Sequence, residues 1–192
     1  SCAGFMRRAY IEAASYACTR EAFGQSIANY PMVQETVADI MAESYAATAS
    51  GFALAALLDR IETGQASDAD KAAYRMFVNI NKYITSIRGT ESIHQAIEVL
   101  GGNGAIESFS ILPRLYRDML VLESWEGTHN VLCLQVMRDI ARYGVHEPFA
   151  EYLRALLATV EHDAIAYHVD DLRYEIDDAL ETVAWLAERD ER

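Results

Sequence analysis

An all-α fold, an antiparallel four-helix bundle carrying an extra C-terminal helical hairpin, is what this sequence predicts. Three observations carry that expectation. Proline (3) and glycine (10) are few in a chain of 192 residues that is 52% apolar, and a chain rich in Ala, Leu, Met and Glu with so few breakers favours helices over a turn-rich β fold. Apolar residues recur at three- and four-residue steps over long stretches. The breaks between those stretches are short, and long helices joined by short links pack antiparallel. The length is enough for one sizeable core.

The first helix is expected from about Cys2 to Thr19, with Phe5, Ala9, Ile11, Ala13, Tyr16 and Ala17 spread around it. Phe23-Gly24-Gln25 ends the pattern and opens a loop. Pro31 starts the second helix at a position where its missing N–H costs nothing. Val33, Val37, Ile40, Met41, Tyr45, Thr48 and Phe52 follow, and Gly64 is the C-cap candidate after Glu62. Ser67 or Asp68 caps the third helix, with Asp70 in its first turn. Its buried side is expected to hold Phe77, Ile80, Ile84, Ile87, Ile93, Ile97 and Leu100, and Gly101-Gly102 stops it. The segment from Asn103 to Val121 reads as irregular around Pro113. A fourth helix is expected from Ser124 to Arg142, stopping at Gly144. Two more follow, Pro148 to His162 and Tyr167 to Glu188, the last with Val169, Leu172, Ile176, Leu180 and Val183 on one face. Residues 1–144 thus read as the bundle and 145–192 as an acidic helical extension packed on it. The chain enters helical periodicity at once from Ser1 without a cap, which predicts a longer protein with part of it upstream.

Charge and cysteines narrow the function classes. The net charge is -13, and from Val145 onward four Lys/Arg face thirteen Asp/Glu. An acidic surface repels phosphate backbones, so DNA is not an expected partner of this piece. No uninterrupted apolar run approaches the ~20 residues of a membrane span, and no basic segment precedes an apolar one as in an export signal. Cys2, Cys18 and Cys133 are odd in number, widely spaced and without a CxxC pattern. They are expected as small buried hydrophobes in a reducing cytoplasm. The five histidines lack the i, i+4 ligand spacing of a helical metal site, so no metal centre is expected.

The chemistry-bearing candidates lie in two segments. Ser124-Trp125-Glu126-Gly127-Thr128-His129-Asn130 sets one carboxylate beside a glycine and a hydroxyl residue. Alone, a glutamate early in a helix is a charge favoured by the macrodipole. Gly127 changes the weighting, since a glycine admits close approach of another group at a cost of ~1 kcal/mol in helix propensity. Trp125 is expected to supply an apolar wall, and a carboxylate shielded from water suits a general base acting on a weak carbon acid. Leu100-Gly101-Gly102-Asn103-Gly104 ends a helix. A bare GGxG is first of all a tight cap and turn, but it would also let a flat or phosphorylated cofactor lie on the main chain. It is not the dinucleotide fingerprint, because no strand precedes it. Arg20 and Arg117-Asp118 are possible anion contacts, against the plainer reading of surface ion pairs.

Three ordered motifs carry a resemblance. They are Arg20-Glu21-Ala22-Phe23-Gly24-Gln25, then Glu98-Val99-Leu100-Gly101-Gly102-Asn103-Gly104, then Tyr116-Arg117-Asp118 leading to Trp125-Glu126-Gly127-Thr128. Over roughly Ser1 to Arg142 the chain resembles the C-terminal helical domain of acyl-CoA dehydrogenases. The resemblance implies α,β-dehydrogenation of an acyl-CoA thioester, with Glu126 at the position of the base and FAD as cofactor. It implies that Thr128 and Asn130 contact FAD, and that Arg20, Phe23, Glu98, Gly101 and Gly102 reach the FAD of a neighbouring subunit. It further implies a homo-oligomer, dimer or tetramer, sharing FAD across its interfaces, and an electron acceptor such as an electron-transfer flavoprotein. N-terminal helical and middle β domains of the family are absent from this chain. Glu98 stands where the family usually has Gln, and a carboxylate cannot donate a hydrogen bond as an amide can. Pro31, His129 and Asn130 also depart from the common pattern. These features, with Cys133-Leu134, look more like the AidB-type branch, flavoproteins of the alkylation response with a DNA-associated C-terminal region. That role, and a helical interaction module without chemistry, stand as the alternatives.

Overall fold

A computed structural model describes residues 1–190. The fold is all-α, with seven helices among the described residues: α1 (Cys2–Thr19), α2 (Pro31–Glu62), α3 (Asp68–Leu100), α4 (Leu112–Ser124), α5 (His129–Tyr143), α6 (His146–Leu157) and α7 (Ala166–Asp190). One two-stranded antiparallel hairpin, β1 (Glu21–Ala22) and β2 (Gln25–Ser26), follows α1.

The ends of the helices follow local chemistry. Ser67 and Asp70 form a reciprocal box at the start of α3: the Asp70 N–H donates to Ser67 Oγ at 3.1 Å, and the Ser67 N–H donates to the Asp70 carboxylate at 2.9 Å. Gly64 sits at φ +72 after α2 and Gly144 at φ +60 after α5, the left-handed conformation that ends a helix. The loop expected after Phe23 is instead the turn of the hairpin. Phe23 (φ 52) and Gly24 (φ 90) both adopt positive φ, as the tightest hairpin turns require.

Two expected boundaries move. The segment Asn103 to Val121 is not irregular throughout, because α4 begins at Leu112 with Pro113 in its first turn. Pro113 starts the helix rather than breaking it, since a first-turn residue has no N–H bond to lose. The helix expected from Ser124 begins instead at His129 as α5, and Trp125–Thr128 is the loop between α4 and α5.

The described residues divide into two compact units, one of residues 1–53 and 80–132, the other of residues 54–79 and 133–190. The first is built on Ala9, Ala13, Ile40, Ile93, Ala96, Leu100, Leu112 and Met119. Small residues let its helices approach closely: a Cβ on Gly89 would lie 2.0 Å from Met119 Cε. The buried side of α3 in this unit is therefore Thr85, Ser86, Gly89, Ser92, Ile93, Ala96 and Leu100; Ile93 and Leu100 were expected there, whereas Ile84, also expected inside, is exposed. In the second unit Phe77 packs on Phe149 and Tyr152 with ring centroids 5.8 and 6.1 Å apart. Val169 of α7 is buried and Ile176, Leu180 and Val183 half-buried, while Leu172 faces out. Arg75 holds the buried Asp139 carboxylate through Nε (2.6 Å) and Nη2 (3.0 Å), and its guanidinium lies 4.7 Å from the Tyr143 ring centroid.

Two surface expectations are corrected. Cys18 and Cys133 are exposed, and Cys2 is half-buried against the core of the first unit. One helix, α2, is long and apolar enough to cross a membrane by length and composition, with mean hydropathy 1.2 over an 18-residue window. A search for uninterrupted apolar runs overlooks it, since its apolar residues are interspersed with small and polar ones. Its exposed apolar side chains include Met32, Tyr45 and Phe52.

Candidate functional site

The residues singled out in the sequence gather in two places in the first unit. At one end of α3, Asn103 Nδ2 donates to the Tyr16 hydroxyl at 3.0 Å. That bond ties the Gly101-Gly102 turn to the last full turn of α1, just before Arg20. Arg20 ends α1 in extended conformation, its N–H on the Tyr16 carbonyl, and its side chain is exposed. Phe23 stands at the hairpin tip, 97% exposed. The hairpin is braced from behind, since the Tyr30 hydroxyl donates to the Ala22 carbonyl at 2.9 Å.

Glu98, Gly101 and Gly102 are exposed in the same region. A Cβ on Gly101 or Gly102 would meet nothing within 4 Å, whereas one on Gly104 would lie 2.4 Å from the Ile97 carbonyl oxygen. Gly104 is thus required by packing, and Gly101 and Gly102 form an open floor that a flat ligand could lie against. Arg117, the other candidate anion contact, is already paired with Glu107 at 2.5 Å.

The second place is the α4–α5 loop. Glu126 sits at φ 59 and Gly127 at φ 117. Phe23 and Glu126 are the two non-glycine residues at positive φ among the described residues. Each costs of order 1–3 kcal/mol that the surroundings must offset, and such strain concentrates at functional sites. Glu126, Thr128 and Asn130 are all exposed. Trp125 does not wall off the carboxylate, being itself 52% exposed. Beside the loop lies an open, largely apolar hollow of about 370 Å³ lined by Leu120, Val121, Ser124 and Trp125.

Sequence reasoning missed what holds this loop. Lys82, Ser86 and Thr90 lie at i, i+4 and i+8 on one face of α3. Lys82 Nζ donates to the carbonyls of Glu123 (3.1 Å) and Gly127 (2.9 Å). Ser86 Oγ is 3.0 Å from His129 Nε2, and the His129 ring packs edge-on against Tyr83 at 4.9 Å. The Thr90 hydroxyl donates to the Glu123 carboxylate. No side-chain pattern announces it, because Lys82 bonds backbone carbonyls and Ser86 and Thr90 sit among other polar residues such as Thr85 and Arg88.

The two places are well separated. Lys82 and Leu100 are both on α3, and eighteen residues of α-helix span about 27 Å. They are two contact points rather than one pocket.

The model of the acyl-CoA dehydrogenase C-terminal domain matches residues 1–141, and the chain belongs to the acyl-CoA dehydrogenase family of oxidoreductases. AidB of Escherichia coli (strain K12) is 36% identical over 148 residues, 76% of this chain and 26% of that protein. The crystal structure of Caenorhabditis elegans ACDH-11 in complex with C11-CoA matches with a TM-score of 0.86 at 27% identity, covering 98% of this chain and 31% of that one. An acyl-CoA dehydrogenase complexed with FAD from Bacillus anthracis matches at a TM-score of 0.69 and 27% identity, over 86% of this chain and 31% of that one. The chain therefore spans about a quarter to a third of the length of these relatives.

Proposed function

We propose that this chain is the C-terminal domain of an FAD-dependent acyl-CoA dehydrogenase in which Glu126 removes the α-proton of an acyl-CoA thioester. The observation that carries the reading is the Glu126 backbone. A non-glycine residue at φ 59, in a loop pinned from α3 by Lys82, Ser86 and Thr90, is a carboxylate held in place against local preference. An oriented carboxylate within reach of an α-carbon is what general-base catalysis asks of a protein.

The remaining candidates divide between two cofactor contacts. Thr128 and Asn130, exposed just after the base, would hold FAD from this subunit's side. Arg20, Phe23, Gly101 and Gly102 would contact the FAD of a neighbouring subunit, Phe23 by its exposed ring and the glycines by an open backbone. The spacing of about 27 Å along α3 suits two cofactor contacts. Glu98 fits less well, since a carboxylate facing a phosphate repels it. FAD held by these residues would supply the acceptor for the β-hydride. Glu126 takes the α-proton onto its carboxylate, and the apolar surface of Leu120, Val121 and Trp125 offers hydrocarbon contact beside it. Domains beyond this chain would shield the exposed Glu126 from water.

The neighbour required by this reading is a second copy. The exposed Met32, Tyr45 and Phe52 of α2 are surface that a homo-oligomer would cover. An acceptor such as an electron-transfer flavoprotein would reoxidise the cofactor, and a reducing cytoplasm suits three unpaired cysteines. The test is a flavin titration of the whole protein. Bleaching by an acyl-CoA supports the reading, and bound FAD that no acyl-CoA reduces removes it. A DNA-associated role, raised by the likeness to AidB, predicts a gel shift at low salt; the acidic α6–α7 region predicts none.

A further inference from the structure

We propose that Lys82 is a positioning residue for the α4–α5 loop and, resting on the function proposed above, for the Glu126 carboxylate. Its ammonium donates to two backbone carbonyls that bracket Glu126, those of Glu123 at 3.1 Å and Gly127 at 2.9 Å. Glu123 lies in the last turn of α4, where carbonyls have no intrahelical partner and a cation is favoured by the helix dipole. Gly127 lies beyond the helix, and its φ of 117 with Val131 Cγ1 3.3 Å from a built Cβ leaves only glycine there. The lysine thus ties the end of one helix to the entry of the next across a single strained residue.

The geometry separates this role from general stabilisation. Lys82 is half-buried, and the two carbonyls use two of its three N–H donors. The core of the same unit, from Ala9 and Ala13 through Ile93 to Met119, is apolar and complete without it. What Lys82 holds is the span Ser124–Thr128, and the one residue there that gains from being held is Glu126 at φ 59. Released from the two carbonyl anchors, the loop can relax to negative φ, which swings the carboxylate away from its present direction. Ser86 and Thr90 fix the two flanks of the loop through His129 and Glu123, so Lys82 alone grips both sides of Glu126.

The test compares Lys82→Met and Lys82→Arg with the parent in the full-length flavoprotein, by hydrogen–deuterium exchange and by steady-state kinetics with C11-CoA. Lys82→Met is expected to speed exchange across 125–131 by about tenfold, the loss of a charge-assisted bond, with α1 unchanged. It is expected to lower kcat by about ten- to a hundredfold through misplacement of the base, with KM and FAD content little changed. Lys82→Arg, which can still reach two carbonyls, is expected to restore most of both. If Lys82→Met does not accumulate as folded protein, Lys82→Gln carries the same comparison. Exchange at 125–131 equal to the parent overturns the proposal whatever the turnover, and so does acceleration spread evenly over the first unit. Local acceleration in a protein whose Glu126→Gln variant still turns over normally leaves the positioning role standing and removes the base reading instead.

Discussion

Ser86 and His129 face each other at 3.0 Å between Oγ and Nε2, with Ser86 fully buried. The same hydroxyl lies 3.1 Å from the Tyr83 carbonyl, which can only accept. Its one proton goes there, so His129 donates from Nε2. The pair anchors the first turn of α5 to α3, directly behind the Glu126 loop. Ser86→Ala is expected to cost about 1 kcal/mol by leaving the Nε2–H without its acceptor. Urea unfolding of Ser86→Ala, His129→Ala and the double variant checks this. A coupling energy near zero would show that the contact does not stabilise the protein.

Phe23 gives a prediction of opposite sign. It holds φ 52 with its ring almost wholly exposed, so the native state gains little from the side chain and bears its backbone strain. Phe23→Gly is expected to leave stability unchanged or raise it by up to about 1 kcal/mol. The same change is expected to weaken FAD retention by the full-length protein. Unfolding midpoints and flavin content after gel filtration measure the two effects. A stability loss above about 1 kcal/mol with full FAD content would show that the ring is structural.

Asp139 sets an acid-side dependence. The Arg75 guanidinium, bonded to it at 2.6 and 3.0 Å, holds its carboxyl below the ordinary value of 3.8. The folded state therefore binds that proton less readily than the unfolded chain. The stabilisation is fully present above the unfolded value and is lost as pH falls through the lower folded one. Asp139→Asn is expected to cost about 1–2 kcal/mol at pH 7, discounted because Arg75 is half-exposed. The gap to the parent should narrow as pH falls below about 4. A gap that stays constant down to pH 3 would contradict the pairing.

Much of the fold was legible because it rests on local rules. Gly64, Gly144 and the Ser67–Asp70 box act within one turn of chain, and each marks the boundary it was expected to mark. Pro113 was misjudged because a proline opens a helix as readily as it breaks one, and only the packing of Leu112 and Met119 decides. The buried side of α3 is legible in part: Ile93 and Leu100 are buried as expected, but Ile84 is exposed and the small polar residues were missed. Close approach of α4 at Gly89 selects small residues there, which hydrophobic periodicity does not register. Arg20, Phe23, Gly101, Gly102 and Glu126 are candidates that motif order and glycine spacing single out. Lys82 is not among them, because its partners are backbone carbonyls 41 and 45 residues away, which no side-chain pattern announces.

The central claim is that Glu126, strained at φ 59 in its loop, is the base. The most direct measurement is the rate at which an acyl-CoA bleaches the flavin of the full-length protein, compared with Glu126→Gln. The amide keeps the size and removes the proton acceptor. The account predicts bleaching in the parent and a fall of about a thousandfold in the variant, with FAD content and acyl-CoA binding retained. A Glu126→Gln protein that bleaches at the parent rate would contradict it.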